Sequence, residues 1–306
     1  MSVAVRADAV VPAPRSIRGA LRDLNSLTKP RIIVLLELTT LATMVVAARG
    51  MPAWSTVLPT LAGGWLMAAG ANTINCWFDR DIDLAMGRTR LRPIPDGRVD
   101  PATALSMGVA LGLSAFVLLA LFVNLLAALL AAAGLLFYVF VYTIWLKRRT
   151  SHNIVIGGAA GAIPPLVGWA AVAGHLDLTA VLLFAIVFCW TPPHFWALAL
   201  LIRADYQRAG VPMLPVVAGA RHTREQIVVY TLILVVVTAL PLLGGSFGLV
   251  YAGGTGLLDA GLLGQSLVAL RGGSARGARR LYYYSIAYLA LLFAVMAADR
   301  VLGLGG

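Results

Sequence analysis

The chain has 306 residues, 60% of them apolar or aromatic and only 12% charged, with a mean hydropathy of +0.86. Water-soluble domains carry about a quarter of their residues as charges, and disordered chains are far poorer in apolar side chains. Both classes are excluded, and a polytopic membrane protein remains; in such a chain a net charge of +11 reflects loop orientation before any ligand, which excludes nucleic acid as a partner.

Residues 1–28 read as a flexible basic cytoplasmic tail that rests on anionic lipid, without the apolar core of a signal peptide. Residues 29–306 read as one intramembrane domain. At about 20 residues per crossing, nine apolar runs suffice as spans: 32–48, 56–76, 102–122, 124–146, 154–173, 178–201, 226–245, 247–270 and 282–302. If the N-terminus and every second loop share a side, that side holds 22 of the 24 Lys and Arg, and only Arg49 and Arg300 lie opposite. The positive-inside bias therefore predicts a cytoplasmic N-terminus and an external C-terminus. The predicted fold is all-α, a bundle of nine transmembrane helices around a central cavity.

Asp100 and Pro101 cap and open the third run. Pro164-Pro165 and Pro192-Pro193 lie inside the fifth and sixth. Each pair removes backbone hydrogen bonds and predicts a bent, broken span that lines an internal pocket, or else a packing kink satisfied by neighbours. Gly157 and Gly161, four apart, predict a close helix approach. Gly253, Gly254, Gly256, Asp259, Gly261 and Gly264 interrupt the eighth run. Cys76 and Cys189 form no paired framework and read as buried apolar residues.

Five of the 13 acids, Asp79, Asp81, Asp83, Asp96 and Asp100, crowd into one predicted cytoplasmic loop. Asn75, Asp79 and Asp83 recur every four residues, which places them on one face of a helix continuing from the second run, with Asp81 pointing elsewhere. Carboxylates on one face repel unless a cation lies between them, and Mg²⁺ takes carboxylate oxygens while keeping positions for phosphate. Arg88, Arg90, Arg92 and Arg98 follow as bidentate phosphate donors. The pattern reads as a half-site for a metal-bound diphosphate. The alternative is a solvated loop whose acids and bases pair with each other.

Asn75-x-x-x-Asp79-x-x-x-Asp83, followed by Met86-x-Arg88-Thr89-x-x-Arg92-Pro93, resembles the intramembrane aromatic prenyltransferases of the UbiA type. Four further stretches are similar to the branch that farnesylates heme: Lys29-Pro-Arg31, Tyr142-Thr143 with Lys147-Arg148, Trp190-Thr-Pro-Pro-His194-Phe-Trp-Ala-Leu-Ala, and Asp205-Tyr206-x-x-Ala-Gly210-Val-Pro-Met213-Leu-Pro215. The motifs cover residues 27–217, and beyond them only the hydrophobic pattern continues.

The resemblance implies a multi-pass protein of a bacterial cytoplasmic (inner) membrane that transfers farnesyl from farnesyl diphosphate to a vinyl group of heme b, with addition of water, giving heme O and diphosphate. Heme b is then a substrate, Mg²⁺ the cofactor, and membrane lipid and a downstream heme-modifying enzyme further partners. Asp79 and Asp83 are implied metal ligands within the motif that begins at Asn75, while Arg88, Arg92 and Lys147 stabilise the departing diphosphate. The second acidic motif falls on Asp205 alone, because Leu201 stands where many relatives carry an aspartate. Asp205 is thus implied as a further metal ligand, acting alone or with water, with Arg203 and Arg208 nearby.

His194 lies within a span and is expected to ligate heme iron, bond a propionate or shuttle a proton, or else to bond a carbonyl freed by the prolines. His152 is expected to meet a propionate, and Tyr142, Arg203 and Asp205 complete the substrate-binding set. His175 and His222 read as loop residues. Glu37, inside the first run, is expected to pair with a polar neighbour. Trp190, Phe195 and Trp196 offer aromatic faces to an allylic cation, or simply pack. A secondary transporter would place its acids near the midplane instead of the rim. A phosphatidyl-alcohol transferase would show D-G-x-x-A-R upstream of its acids. A prenyltransferase for a quinone precursor is disfavoured by the run from Trp190 to His194.

Overall fold

The computed structural model describes residues 16–303, and every regular element among them is helical. In chain order these are α1 (Ile17–Thr28), α2 (Pro30–Ala48), α3 (Trp54–Phe78), α4 (Arg80–Ala85), α5 (Pro101–Phe122), α6 (Leu125–Leu136), α7 (Asn153–Ala173), α8 (Leu178–Leu201), α9 (Arg203–Arg208), α10 (Leu214–Val217), α11 (Gly219–Leu243), α12 (Leu249–Gly272) and α13 (Ala275–Leu302). A π-helix, Phe137–Leu146, continues α6.

Part of the expected flexible tail is ordered. Ser16 caps α1 by accepting from the Gly19 amide at 3.2 Å. Leu24 and Leu27, on one helical face, pack with Cys76, Ile94 and Val99, and Asn72 of α3 donates to the Thr28 carbonyl at 3.0 Å. An apolar face with a partner to cover it folds as a helix, whatever its charge. Residues 1–15, with Arg6 and Arg15, lie outside the described residues.

Seven helices are long and apolar enough to cross a bilayer: α2, α5, α6 with its π continuation, α7, α8, α11 and α13. Two others, α3 and α12, have comparable length but do not meet that measure. The last turns of α3 carry Asn72, Thr73 and Asn75, and α12 carries Asp259 and the glycines. Those glycines do not break α12. Tyr284 of α13 packs on Gly261 and donates to the Leu258 carbonyl at 3.1 Å. Asp259 is satisfied by Tyr288 at 2.6 Å and Thr238 at 2.8 Å, as a buried acid must be.

The proline pairs do not break their helices either, since α7 and α8 run through them. The Thr40 hydroxyl of α2 is shared between the Leu36 carbonyl at 3.0 Å and the Pro164 carbonyl at 3.5 Å, a contact of α2 with α7 at the proline pair. Nearby, a Cβ on Gly168 would sit 2.5 Å from the Thr40 carbonyl oxygen, so α2 and α7 meet backbone to backbone. Of the two glycines expected to admit a helix, Gly157 gives its space to the Tyr142 ring, while Gly161 faces open space.

Two apolar cores result. One joins α8, α11, α12 and α13, with residues of α2 and α7, around Trp190, Tyr251, Tyr288 and Phe293; the other joins α2, α3, α5, α6 and α7 around Met44, Leu119 and Val167. A third, smaller cluster lies beside the end of α3 and contains Tyr142, Tyr206 and Met213.

Candidate functional site

Asp79 caps α3, its amide donating to the Asn75 carbonyl at 2.9 Å, and the Asp83 amide donates to the Asp79 carbonyl at 2.8 Å. The four-residue recurrence therefore survives the junction with α4. Asn75, Asp79 and Asp83 are all buried, Asp79 completely. An uncompensated buried carboxylate is strongly destabilising, and each acid has a resident cation. Lys147 bonds Oδ2 of Asp79, and Arg92 Nη1 donates to Oδ2 of Asp83 at 2.7 Å. Asn75 connects the group, with Nδ2 donating to Asp79 Oδ2 at 2.8 Å and to Thr143 Oγ1 at 3.0 Å while its Oδ1 accepts from Lys29 Nζ at 2.7 Å. One oxygen, Asp79 Oδ1, is buried without a hydrogen-bond partner; Arg148 Nη2 stays 3.9 Å away.

The π-helix places the partners from the fourth run. The Lys147 amide donates to the Tyr142 carbonyl, five residues back, at 2.9 Å. Thr143 and Lys147 of this segment meet Asn75 and Asp79, and π turns recur at functional sites. Tyr142 stacks on Tyr138 with centroids 5.4 Å apart. Tyr138, Tyr142, Tyr206 and Phe195, together with Ile82, form an apolar wall beside the acids. Burial pushes the Tyr206 hydroxyl up to about 12, against the pull of Arg88 and Arg92.

Thr143, Tyr138 and the function of Lys29 escape a reading of motif acids, yet one signal was present. The chain has 22 arginines and two lysines, and both lysines, Lys29 and Lys147, converge on the pair Asn75 and Asp79. Burial lowers the pKa of the Lys29 ammonium.

Other expected residues are not gathered here. Asp205 bonds Arg208 on its own helix and faces Gly87, where a Cβ would lie 3.6 Å from Asp205 Oδ1. Among the described residues no three His, Cys, Asp or Glu side chains come together to hold a metal, so Asp205 does not join Asp79 and Asp83 in one ligand set. Its charge is already met by an arginine one turn on. Arg98 turns to Asp23, Asp96 and the Leu91 carbonyl and acts as a strut. Arg88, Arg90 and Arg203 are exposed. Asp81 points outward and takes both Arg148 nitrogens at 2.7 Å, which hold its carboxyl below the usual range.

His152 is exposed at the start of α7, beside Thr150. His175 is exposed, and His222 belongs to the first turn of α11 instead of a loop, 3.8 Å from Glu225. Glu37 faces Gly64, and its Oε2 has no hydrogen-bond partner, so the expected polar neighbour is not found among the described residues. His194 lies between Trp190, centroids 4.3 Å apart, and Tyr282, 5.0 Å apart, with Nδ1 2.8 Å from Ser285 Oγ. Tyr282 and Ser285 fall beyond the last motif.

The model of the UbiA prenyltransferase family matches residues 36–297. A protein named protoheme IX farnesyltransferase from Roseiflexus sp. strain RS-1 is 58% identical over 92% of this chain and 53% of its own length. One of the same name from Gloeobacter violaceus is 52% identical over 97% of this chain and 96% of its own. The chain thus spans about half the length of the first relatives it matches and nearly all of others. Two solved structures share the fold. A digeranylgeranylglyceryl phosphate synthase has a TM-score of 0.76 at 18% identity, covering 92% of this chain and 99% of its own. A UbiA homolog from Archaeoglobus fulgidus bound to DMAPP and Mg²⁺ has 0.63 at 15%, covering 90% and 99%.

Proposed function

The chain belongs to the UbiA prenyltransferase family, and from that premise we propose that it transfers farnesyl from farnesyl diphosphate to a vinyl group of heme b, giving heme O and diphosphate. The observation that carries this reading is the buried pair Asp79 and Asp83, each bonded to a cation, with Asp79 held by Lys147 directly and joined to Lys29 through Asn75. The names and identities of the relatives supply the acceptor.

A magnesium ion fits these residues. Asp79 Oδ1 is a buried orphan oxygen, and hard cations choose carboxylate oxygen. Asp79 and Asp83 would hold the ion. When bound, Mg²⁺ supplies charge neutralisation on the diphosphate and makes it a better leaving group. Lys147 and Arg92 would transfer donors from the carboxylates to phosphate oxygens, joined by Lys29 and Arg88, and so stabilise the charge that develops as the C1–O bond breaks. The heme vinyl group attacks C1 of the allylic cation through its terminal carbon. Water then adds to the cation next to the porphyrin ring and loses a proton. Tyr138, Tyr142, Tyr206 and Phe195 keep bulk water from the allylic cation, and their faces stabilise it. His194 would meet the heme, and exposed His152 and Arg203 a propionate at the rim.

The same reading counts nine spans, with α3 and α12 crossing between their more apolar neighbours, the N-terminus cytoplasmic and the C-terminus outside a bacterial inner membrane. Lipid and a downstream heme-modifying enzyme are its further partners. Diphosphate release from farnesyl diphosphate tests the acceptor: release that needs both Mg²⁺ and heme b supports the assignment. Release with a hydroxybenzoate acceptor and none with heme overturns it.

A further inference from the structure

His194 and Ser285 bridge α8 and α13, and the direction of their hydrogen bond follows from a second bond that Ser285 makes. The Ser285 hydroxyl lies 2.7 Å from the carbonyl oxygen of Tyr282, one turn back. A carbonyl only accepts and a serine has one proton to give, so that proton goes to Tyr282, a common back-bond for serine in a helix. Were it turned to His194 instead, two oxygens would face each other at 2.7 Å with no proton between them. Ser285 therefore accepts from His194, whose Nδ1 carries the hydrogen, and Nε2 keeps its lone pair.

The surroundings hold the ring in that orientation. Its faces are stacked between Trp190 and Tyr282, with interplanar angles of 14° and 23°. Trp190 is tied to the same serine, its Nε1–H donating to the Ser285 carbonyl at 2.8 Å. A ring flip would exchange Nδ1 for a carbon and lose the Ser285 bond. Nε2 has no hydrogen-bond partner among the described residues. The ring also borders the site described above: Phe195, next in sequence, packs against the cluster that contains Tyr142 and Tyr206.

We propose that Ser285 is a positioning residue that fixes His194 as its Nδ1–H tautomer, so that the bare Nε2 is offered to the iron of the heme substrate. The inference rests on the heme reading above. A neutral imidazole is the ligand form, and a partner on the other nitrogen sets both tautomer and basicity. Loss of such a partner lowers metal affinity by about 10- to 100-fold.

Two measurements test this. With four histidines in the chain, ¹⁵N-histidine spectra of the purified protein in detergent, assigned through His194→Gln, report the tautomer without heme. Protonated Nδ1 and bare Nε2 are expected, with a tautomer mixture in Ser285→Ala and the wild-type pattern in Ser285→Thr. A bare Nδ1 in the wild type overturns the proposal. In heme titrations followed by absorbance, His194→Ala loses the axial imidazole signature, Ser285→Ala binds heme about tenfold more weakly, and Ser285→Thr recovers. Unchanged spectra and affinities in both alanine variants, with heme binding by the wild type intact, overturn iron ligation alone. A wild type that takes up no heme removes the heme reading itself.

Discussion

Arg92 reaches back nine residues to donate to Asp83 Oδ2 at 2.7 Å, and this bond makes the loop after α4 part of the site instead of a solvated connection. Lys147 does the same for Asp79 from the end of the π-helix. Each buried acid thus has beside it a cation from another segment, and each cation is a phosphate donor in waiting.

Asp79→Asn and Asp83→Asn keep the shape of each side chain and remove its charge. Turnover is expected to fall by at least about 100-fold, with membrane insertion and elution on size exclusion unchanged. Wild-type rates in either variant would remove the metal-holding role.

Lys147→Met leaves buried Asp79 with Arg148, 3.9 Å away, as its remaining charged neighbour, and Asp79→Asn takes from Lys147 its charged partner. Each single variant is expected to unfold at lower temperature in detergent, and the double variant to recover part of the loss, with a coupling of about 1–3 kcal/mol. Additive losses would show that the two charges do not meet.

Gly157→Ala would place a Cβ 2.3 Å from the Tyr142 ring, whereas a Cβ on Gly161 meets nothing within 4 Å. The first substitution is expected to destabilise by about 1–3 kcal/mol and to lower activity by displacing Tyr142. The second is expected to be neutral or slightly stabilising, because alanine favours a helix. Equal melting temperatures for the two variants would contradict the packing described.

Asp81 is exposed and its pKa is depressed by Arg148. A depressed carboxylate contributes stability above the ordinary Asp value of about 3.9 and loses it as pH falls through the lower folded value. Asp81→Asn is therefore expected to change activity by less than about twofold, and to melt slightly below wild type at pH 6 with the difference shrinking steadily as pH falls below about 3.9. A loss like that of Asp79→Asn would place Asp81 in the site.

The acid stripe was legible in the sequence because a four-residue recurrence maps directly onto one helix face, and Asp79 and Asp83 do share it. The apolar runs likewise located the long helices, since burial and span length are both written in composition. Four things were not legible. The π register of Phe137–Leu146 leaves no mark in apolar periodicity, so the approach of Thr143 to Asn75 could not be placed. The order of α1 depends on a partner surface on α3, which a basic, polar stretch does not announce. The pairings of Asp205 with Arg208 and of Arg98 with Asp23 and Asp96 are choices among many acids and bases within reach. Ser285 and Tyr282 come to His194 from 91 and 88 residues away, a meeting that only the packing of α8 on α13 creates.

The most direct measurement is the mass of the porphyrin after the purified protein has been incubated with heme b, farnesyl diphosphate and Mg²⁺. The account predicts heme heavier by one farnesyl group and one hydroxyl, formed by the wild type and absent with Asp79→Asn. Heme recovered at its original mass from folded wild-type protein, or the same product formed by Asp79→Asn at the wild-type rate, would contradict it.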